Sequence, residues 1–429
     1  MTRKYISEIK PGEYVKIQGY VDAVRIKRAI SFVVVQDITG KVQLTVCHDD
    51  VPELAKKVRE ITVQSVVTVE GKVEANESVK LGGIEIIPAS LIIESAAGPL
   101  PLQSGAHIDT RLDYRWLDLR EERNRLIFEV QTELVRAMRD YLLGRRFIEI
   151  HTPKLIGAAS ESGSEVFGLK YFDGKAYLSQ SPQFYKQMAM AAGFERVFEV
   201  GPVFRAEKSY TSKHATEFTG FDIEMSYIES FHDVMRLEEE LLKAALESVK
   251  SLYGDRIKAL FGTDVIAPQT PFPIISLDSL YAELERRYGY RIIEQDRGDL
   301  TTEAEQLCKA FAMEKYGHEF LFVTGFSANK RAFYHMRDEN GVPLGYDLIW
   351  RGVEITTGAQ REHRYERLKR QAEEKGLGED VKFYLEFFRY GCPPHGGFGL
   401  GVDRLTMLLL GINIKEAMFL FRGPNRLTP

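Results

Sequence analysis

Two stretches of the chain combine residue types suited to holding a nucleotide. The first is Phe204-Arg205-Ala206-Glu207, followed after a polar loop by Lys213-His214-Ala215-Thr216-Glu217-Phe218. Residues two apart in a strand project from one face, roughly 7 Å apart, so Arg205 and Glu207 are expected to share a face. The guanidinium can hold a phosphate or a carboxylate, and the glutamate can accept from a base amino group. The second stretch is Gly396-Gly397-Phe398-Gly399-Leu400-Gly401-Val402-Asp403-Arg404. A glycine-rich passage from strand to helix lets a nucleotide approach the backbone closely. Arg404 then stands at the start of the helix, where unpaired N–H groups favour an anion.

These residues need a scaffold, and hydrophobic periodicity outlines one. Residues 15–21, 30–37, 41–46, 63–69 and 83–93 read as β-strands, the second and third joined by the turn Asp37-Ile38-Thr39-Gly40. One helix-like stretch, 53–59, falls among them. Five strands with a single helix in that place predict a small closed barrel of the oligonucleotide-binding (OB) type over residues 1–98. Gly98-Pro99-Leu100-Pro101 signals a hinge or linker, predicted over 99–120. From 121 to 429 helical periodicity and strands mix, which predicts one large α+β domain. Its 230–328 portion reads as a helical insertion with amphipathic stretches at 233–253, 277–288 and 302–316.

Composition excludes several classes. Of 429 residues 44% are hydrophobic, enough for more than one core. The longest apolar runs, such as Leu91-Ile92-Ile93, fall far short of the roughly 20 residues that span a bilayer. Cys47, Cys308 and Cys392 are widely scattered, which argues against a disulfide framework and a structural zinc site. A soluble cytoplasmic protein with no membrane segment is expected. The net charge of −5 does not announce a polyanionic partner, yet residues 1–48 carry eight Lys/Arg against four Asp/Glu.

Together, in this order and spacing, the two arginine-bearing stretches resemble motifs 2 and 3 of the class II aminoacyl-tRNA synthetases. Phe147-Ile148-Glu149-Ile150-His151-Thr152-Pro153 resembles motif 1, whose strand and proline form the dimer interface in that family. No GxxxxGK[ST] phosphate loop and no KMSKS-type segment offers another route to ATP. The resemblance covers essentially the whole chain. Its barrel-first arrangement marks the subgroup specific for aspartate, asparagine and lysine, whose barrel reads the anticodon. The resemblance implies a catalytic domain built on an antiparallel sheet flanked by helices. Within the subgroup, Gln180-Ser181-Pro182-Gln183-Phe184-Tyr185-Lys186-Gln187 is similar to the signature of the aspartate-specific members.

That resemblance implies a homodimer that uses ATP and Mg²⁺ to convert L-aspartate to its adenylate and passes it to the 3′ end of tRNA(Asp). Arg205 would clamp the α-phosphate and the incoming carboxylate. Glu207 would read the adenine amino group and Phe218 would stack on the ring. Lys213, His214, Gly401 and Arg404 would complete the ATP site. Asp347 and Glu354 resemble the family's metal ligands, with Thr357 beside them. Lys186 and Arg361 would fork onto the substrate's side-chain carboxylate, and Glu161 and Gln183 resemble further contacts of the aspartate. Phe32 and Gln43 match positions that stack on, and hydrogen-bond to, the middle anticodon base.

The reaction needs no covalent enzyme intermediate, so positioning and charge neutralisation carry the rate. Aspartate and asparagine have nearly one shape, so charge must separate them. An amide facing Lys186 and Arg361 would leave buried cations unpaired, at roughly 2–5 kcal/mol for a lost partner. That corresponds to about 10²- to 10³-fold rejection or better.

The chain departs from the family pattern in places. Lys213 stands where arginine is usual, keeping charge but not the bidentate fork. Arg145-Arg146 precede Phe147 where motif 1 usually has a glycine. The segment between motifs 2 and 3 is too short for a large extra domain, which resembles the compact archaeal and eukaryotic type. Some of that type also charge tRNA(Asn) with aspartate for later amidation, so tRNA(Asn) stands beside tRNA(Asp) as an acceptor. Two rivals are an asparagine-specific relative, opposed by Lys186 in its Gln-Ser-Pro-Gln frame, and a non-catalytic paralogue. Intact Arg205, Glu207, Asp347, Glu354 and Arg404 oppose the second.

Overall fold

The structure, a computed structural model, describes all residues except 104, 158–165 and 209–212. Glu161 therefore lies outside the described residues. The chain forms two compact units, Met1–Gly105 and Ala106–Pro429.

The first unit contains β1 (Tyr14–Ile26), β2 (Ile30–Gln36), β3 (Lys41–Cys47), α1 (Pro52–Glu60), β4 (Val66–Ala75) and β5 (Ile84–Ser95). The strands close a barrel in the order β1-β2-β3-β5-β4. Strict alternation drives this, because Val33, Val35, Val42, Leu44 and Val46 turn inward and are fully buried. Phe32 and Gln43 belong to the opposite, outward set of β2 and β3. Asp37 fixes the connecting turn, its Oδ1 accepting from the N–H of Thr39 at 2.7 Å and of Gly40 at 3.1 Å.

The second unit opens with α2 (Ile108–Asp113), α3 (Arg115–Asp118) and α4 (Glu122–Leu143), then β6 (Ile148–Glu149), β7 (Leu155–Ile156), β8 (Gly168–Tyr171) and β9 (Gly174–Leu178). α5 (Gln183–Ala191), β10 (Arg196–Phe204), β11 (Glu217–Ser226) and α6 (Phe231–Phe261) follow, then β12 (Ile274–Ser276), α7 (Leu277–Tyr288), α8 (Thr302–Tyr316) and β13 (Phe320–Thr324). β14 (Gly345–Trp350), β15 (Val353–Arg361), α9 (Tyr365–Glu374), α10 (Lys382–Glu386), β16 (His395–Gly401), α11 (Val402–Leu410) and α12 (Ile414–Ala417) complete it. Eight strands form one sheet in the order β12-β13-β14-β15-β16-β11-β10-β6. Its six inner strands are antiparallel, and β12 and β6 each join an edge in parallel. The core lies between this sheet and α4, α6 and α11, with Leu126, Leu134, Leu242 and Leu405 packed against Phe198, Phe221 and Phe398. α6 starts at a capping box of Ser230 and Asp233 and stops at Gly262, whose φ of 70° is left-handed.

Three expectations change. The hinge predicted over 99–120 includes α2 and α3, which are part of the second unit. Arg115 is fully buried there, pairs with Asp118 and donates to the carbonyls of Glu416 and Met418 at 2.8 and 2.9 Å. Charged residues read as linker because their partners lie some three hundred positions away. The segment 230–328 holds α6, α7 and α8 as expected, but β12 and β13 within it extend the main sheet, so it is not a separate insertion. The motif 1 strand is short, with only Ile148 and Glu149 in the ladder beside β10.

Candidate active site

A cleft of about 280 Å³ opens over β11, β15 and β16. Among the described residues six Lys/Arg against four Asp/Glu line it, so this part of its wall is net positive. Sheet register assembles the floor, because Thr357 pairs with Gly399 and Arg361 with His395 across β15 and β16.

Asp222 and Glu224, two apart on β11, both face this floor. Lys186 on α5 is buried and reaches them, its Nζ 2.9 Å from Asp222 Oδ1 and 3.5 Å from Glu224 Oε2. It also donates to the carbonyls of Phe398 at 3.1 Å and Ile223 at 3.3 Å. Its three N–H groups are thus taken, and it lies behind Asp222 rather than on the cleft wall. Arg361 differs. It donates through Nε to Glu224 Oε1 at 3.0 Å and through Nη2 to Gly397 O at 2.8 Å, while Nη1 makes no hydrogen bond among the described residues and the residue lines the cleft. The expected pair of bare cations is therefore one open donor backed by a balanced cluster, because buried charges must be paired. Gln183 lines the cleft beside them.

The glycines of β16 make room for these carboxylates. A Cβ on Gly397 would lie 2.5 Å from Glu224 Oε2, and one on Gly399 would lie 2.9 Å from Asp222 Oδ1. Close approach of β11 side chains, not only of a nucleotide, demands glycine here.

At the other end, β10 stops at Phe204, so Arg205 and Glu207 follow the strand rather than sharing its face. They still converge, with Arg205 Nη1 3.9 Å from Glu207 Oε1. The Arg205 guanidinium lies 5.5 Å from the centre of the Phe218 ring. Arg404, the third residue of α11, donates to Glu354 O at 2.7 Å. Burial, with the cations Arg404, Lys213 and Arg205 nearby, lowers the pKa of His214. Lys213 is anchored to Glu305 on α8 at 2.7 Å.

Asp347 and Thr357 are cross-strand partners on β14 and β15, which sets Thr357 Oγ1 2.9 Å from Asp347 Oδ1. A register shift at Leu348/Ile349 passes over Ile355 and brings Glu354, three residues from Thr357, to the same side, 3.1 Å from its hydroxyl. Arg331 grips Asp347 through Nη1 at 2.8 Å and Nη2 at 2.5 Å. Burial raises the Asp347 carboxyl to about 6, with Glu354 adding to the rise against the pull of Arg331. Two carboxylates and a hydroxyl form an all-oxygen donor set that suits a hard divalent cation completed by phosphate and water oxygens.

The structure thus gathers Gln183, Arg205, Glu207, Lys213, His214, Phe218, Glu354, Thr357, Arg361, Gly401 and Arg404 around one cleft. Asp347 and Lys186 lie just behind its wall. Sequence reasoning missed Asp222, Glu224, Glu305 and Arg331. The first two left a signal, since Phe221-Asp222-Ile223-Glu224-Met225 alternates acids with apolar residues in a strand whose neighbours are buried.

A positive cleft on an antiparallel sheet, walled by a glycine strand that feeds an arginine-bearing helix, is the active-site architecture of one class of enzyme. The description tRNA synthetases class II (D, K and N) matches residues 107–422, and that of the OB-fold nucleic acid binding domain matches residues 6–94. The chain belongs to the class II tRNA synthetases of this D, K and N group, and its first unit is an OB-fold domain.

The relatives are more particular. The chain is 44% identical to the aspartate–tRNA(Asp/Asn) ligase of Methanopyrus kandleri, over 99% of each chain. It is 42% identical to the aspartate–tRNA(Asp) ligase of Pyrococcus abyssi, over 99% of this chain and 98% of that one. Among solved structures, asparaginyl-tRNA synthetase of Pyrococcus horikoshii with asparaginyl-adenylate superposes over all of both chains with a TM-score of 0.91 and 34% identity. Aspartyl tRNA synthetase of Entamoeba histolytica gives 0.86 and 34% over 98% of this chain and 90% of that one.

Proposed function

We propose that this chain activates L-aspartate with ATP and loads it onto tRNA(Asp). One observation carries the reading: a single cleft has the open Nη1 of Arg361 at one end and Arg205, His214, Glu354 and Arg404 at the other, with Asp347 just behind its wall. The full-length likeness to aspartate–tRNA ligases supports the choice of amino acid.

In this reading adenine lies over Phe218 with its amino group toward Glu207, and the phosphates extend among Arg205, His214, Lys213 and Arg404. The side-chain carboxylate of aspartate takes Nη1 of Arg361. Lys186 serves Asp222 and Glu224, so Arg361 keeps part of its charge for the substrate. Gln183 contacts the same amino acid. The α-carboxylate then attacks the α-phosphorus in line while Arg205 neutralises both groups, and pyrophosphate leaves toward Arg404. Asp347, Glu354 and Thr357 would hold Mg²⁺, which would neutralise the phosphate charge. The tRNA's terminal hydroxyl then attacks the carbonyl carbon of the adenylate, the acyl–phosphate bond breaks and AMP leaves.

Phe32 and Gln43 on the outward face of the barrel take the middle anticodon base, and Lys27 Nζ, 5.4 Å from the Phe32 ring centre, adds a cation there. A homodimer forms through the open edge at β6. Its support is the exposed apolar side chains Ile148 and Leu155, which flank the exposed Pro153 in the chain. No helix among the described residues is long and apolar enough to cross a membrane, and the reaction belongs in the cytoplasm with its tRNA.

Aminoacylation of two purified transcripts with labelled aspartate tests the reading. Charging of tRNA(Asp) is expected. Charging of tRNA(Asn) as well, in line with the name of the Methanopyrus relative, would make the enzyme non-discriminating. Charging of neither would contradict the proposal.

A further inference from the structure

One wall of the cleft is backed by uncharged polar side chains, of which the reading above gives a role to Gln183 alone. Gln183 and Gln187 lie one turn apart on α5, Tyr384 belongs to α10, and His395 opens β16; Gln183 is 5% exposed and the other three are fully buried. Elementary donor–acceptor chemistry fixes the direction of each hydrogen bond among them. His395 Nδ1 lies 2.8 Å from the carbonyl oxygen of Pro393. A carbonyl only accepts, so Nδ1 carries the proton. Burial pushes the ring's pKa down to about 4 against the pull of Glu224, so the imidazole is neutral. Its Nε2 is then an acceptor, and Gln187 meets it with Nε2 at 3.0 Å. Only the amide nitrogen can donate there, which turns Gln187 Oε1 the other way. That oxygen accepts from the Tyr384 hydroxyl at 3.0 Å and from Gln183 Nε2 at 2.9 Å. Gln183 Nε2 also faces Glu224 Oε2 at 3.4 Å. Both N–H groups of Gln183 are thus drawn into the protein, and its carbonyl oxygen is left for the cleft that the residue lines.

We infer that His395 is a positioning residue: through Gln187 it holds the Gln183 amide with its carbonyl oxygen toward the cleft, where that oxygen accepts from the substrate's α-ammonium. The inference rests on the reading of Gln183 as a contact of the amino acid. An ammonium offers only donors, so a flipped amide would set donor against donor. No charge is spent on this recognition, which leaves the acidic residues free to balance Lys186 and Arg361.

The test measures KM for L-aspartate and for ATP in pyrophosphate exchange, with inhibition by succinate, which keeps both carboxylates and lacks the ammonium. His395→Met removes the acceptor and His395→Gln restores one near the place of Nε2. His395→Met is expected to raise KM for aspartate about tenfold or more, the range for a hydrogen bond to a charged group. KM for ATP and inhibition by succinate are expected to stay near wild type, and His395→Gln to recover most of the loss. Gln187→Met cuts the same relay at its middle and is expected to give the same pattern, whether or not His395→Met folds. Equal weakening of aspartate and succinate, an unchanged KM for aspartate, or no recovery in His395→Gln would overturn the inference. Gln183→Met separates the two claims: if it leaves KM for aspartate unchanged, the reading of Gln183 itself fails.

Discussion

Lys186 and Arg361 bring like charges into one buried corner, and their neighbours decide what each can do. Lys186 spends its ammonium on Asp222 and two backbone carbonyls, whereas Arg361 satisfies Glu224 with one side of its guanidinium and keeps Nη1 open. A planar group with five donors can serve two masters where an ammonium cannot. Arg361→Lys should therefore leave Glu224 paired and the fold intact while stripping the substrate of its donor. A hydrogen bond to a charged group contributes about 1.5–3 kcal/mol, so KM for aspartate should rise roughly 10- to 150-fold. Pyrophosphate exchange and a melting curve check both halves; an unchanged KM would remove Arg361 from the aspartate site. The roles of these two residues were legible in sequence only as a pair of cations. Which of them stays open depends on Asp222 and Glu224, whose closeness to Lys186 is set by the pairing of β11 with β16 and by no local pattern.

Elements with a regular apolar stripe were the easiest to read. α7 and α8 coincide with the predicted stretches because each has a capping residue, Ser276 or Thr301, and ends at a left-handed glycine, Gly289 or Gly317. α6 runs beyond its predicted end, since Ile257 continues the buried face to Gly262. β12 was hidden because three residues at a sheet edge carry too little periodicity, and β13 because its apolar run Phe320-Leu321-Phe322-Val323, buried throughout, does not alternate. The packing of α6 also buries a group with a thermodynamic signature. Glu238 is fully buried beneath the sheet, its Oε2 2.6 Å from the Tyr346 hydroxyl that donates to it. Burial pushes its carboxyl from the ordinary 4.5 up to about 8. Between those values the folded chain keeps a proton that the unfolded chain releases, so this group makes stability fall as pH rises through that window. Glu238→Gln should flatten the fall and leave the variant more stable than wild type above pH 8, by an amount on the order of a few kcal/mol. Melting temperatures from pH 5 to 9 decide it; parallel curves for the two proteins would show that Glu238 ionises at its ordinary value.

Across the whole molecule, the proposed function places anticodon reading and amino-acid chemistry in different units, each with its own core. Changes in the barrel should therefore act on tRNA alone. A stacked base contributes about 1–3 kcal/mol, so Phe32→Ala should raise KM for tRNA(Asp) roughly 5- to 150-fold in aminoacylation. Exchange of pyrophosphate without tRNA should be unchanged, and loss of both activities would place Phe32 in the barrel's folding instead. Fold similarity does not choose the amino acid, because an asparaginyl-tRNA synthetase superposes as well as an aspartyl one. The choice rests on the full-length likeness to aspartate–tRNA ligases and on the open donor of Arg361. The most direct test is ATP–pyrophosphate exchange driven in parallel by L-aspartate and L-asparagine. Aspartate should support exchange at least about tenfold more efficiently in kcat/KM, as one charge-assisted hydrogen bond demands. Equal or better exchange with asparagine would contradict the account.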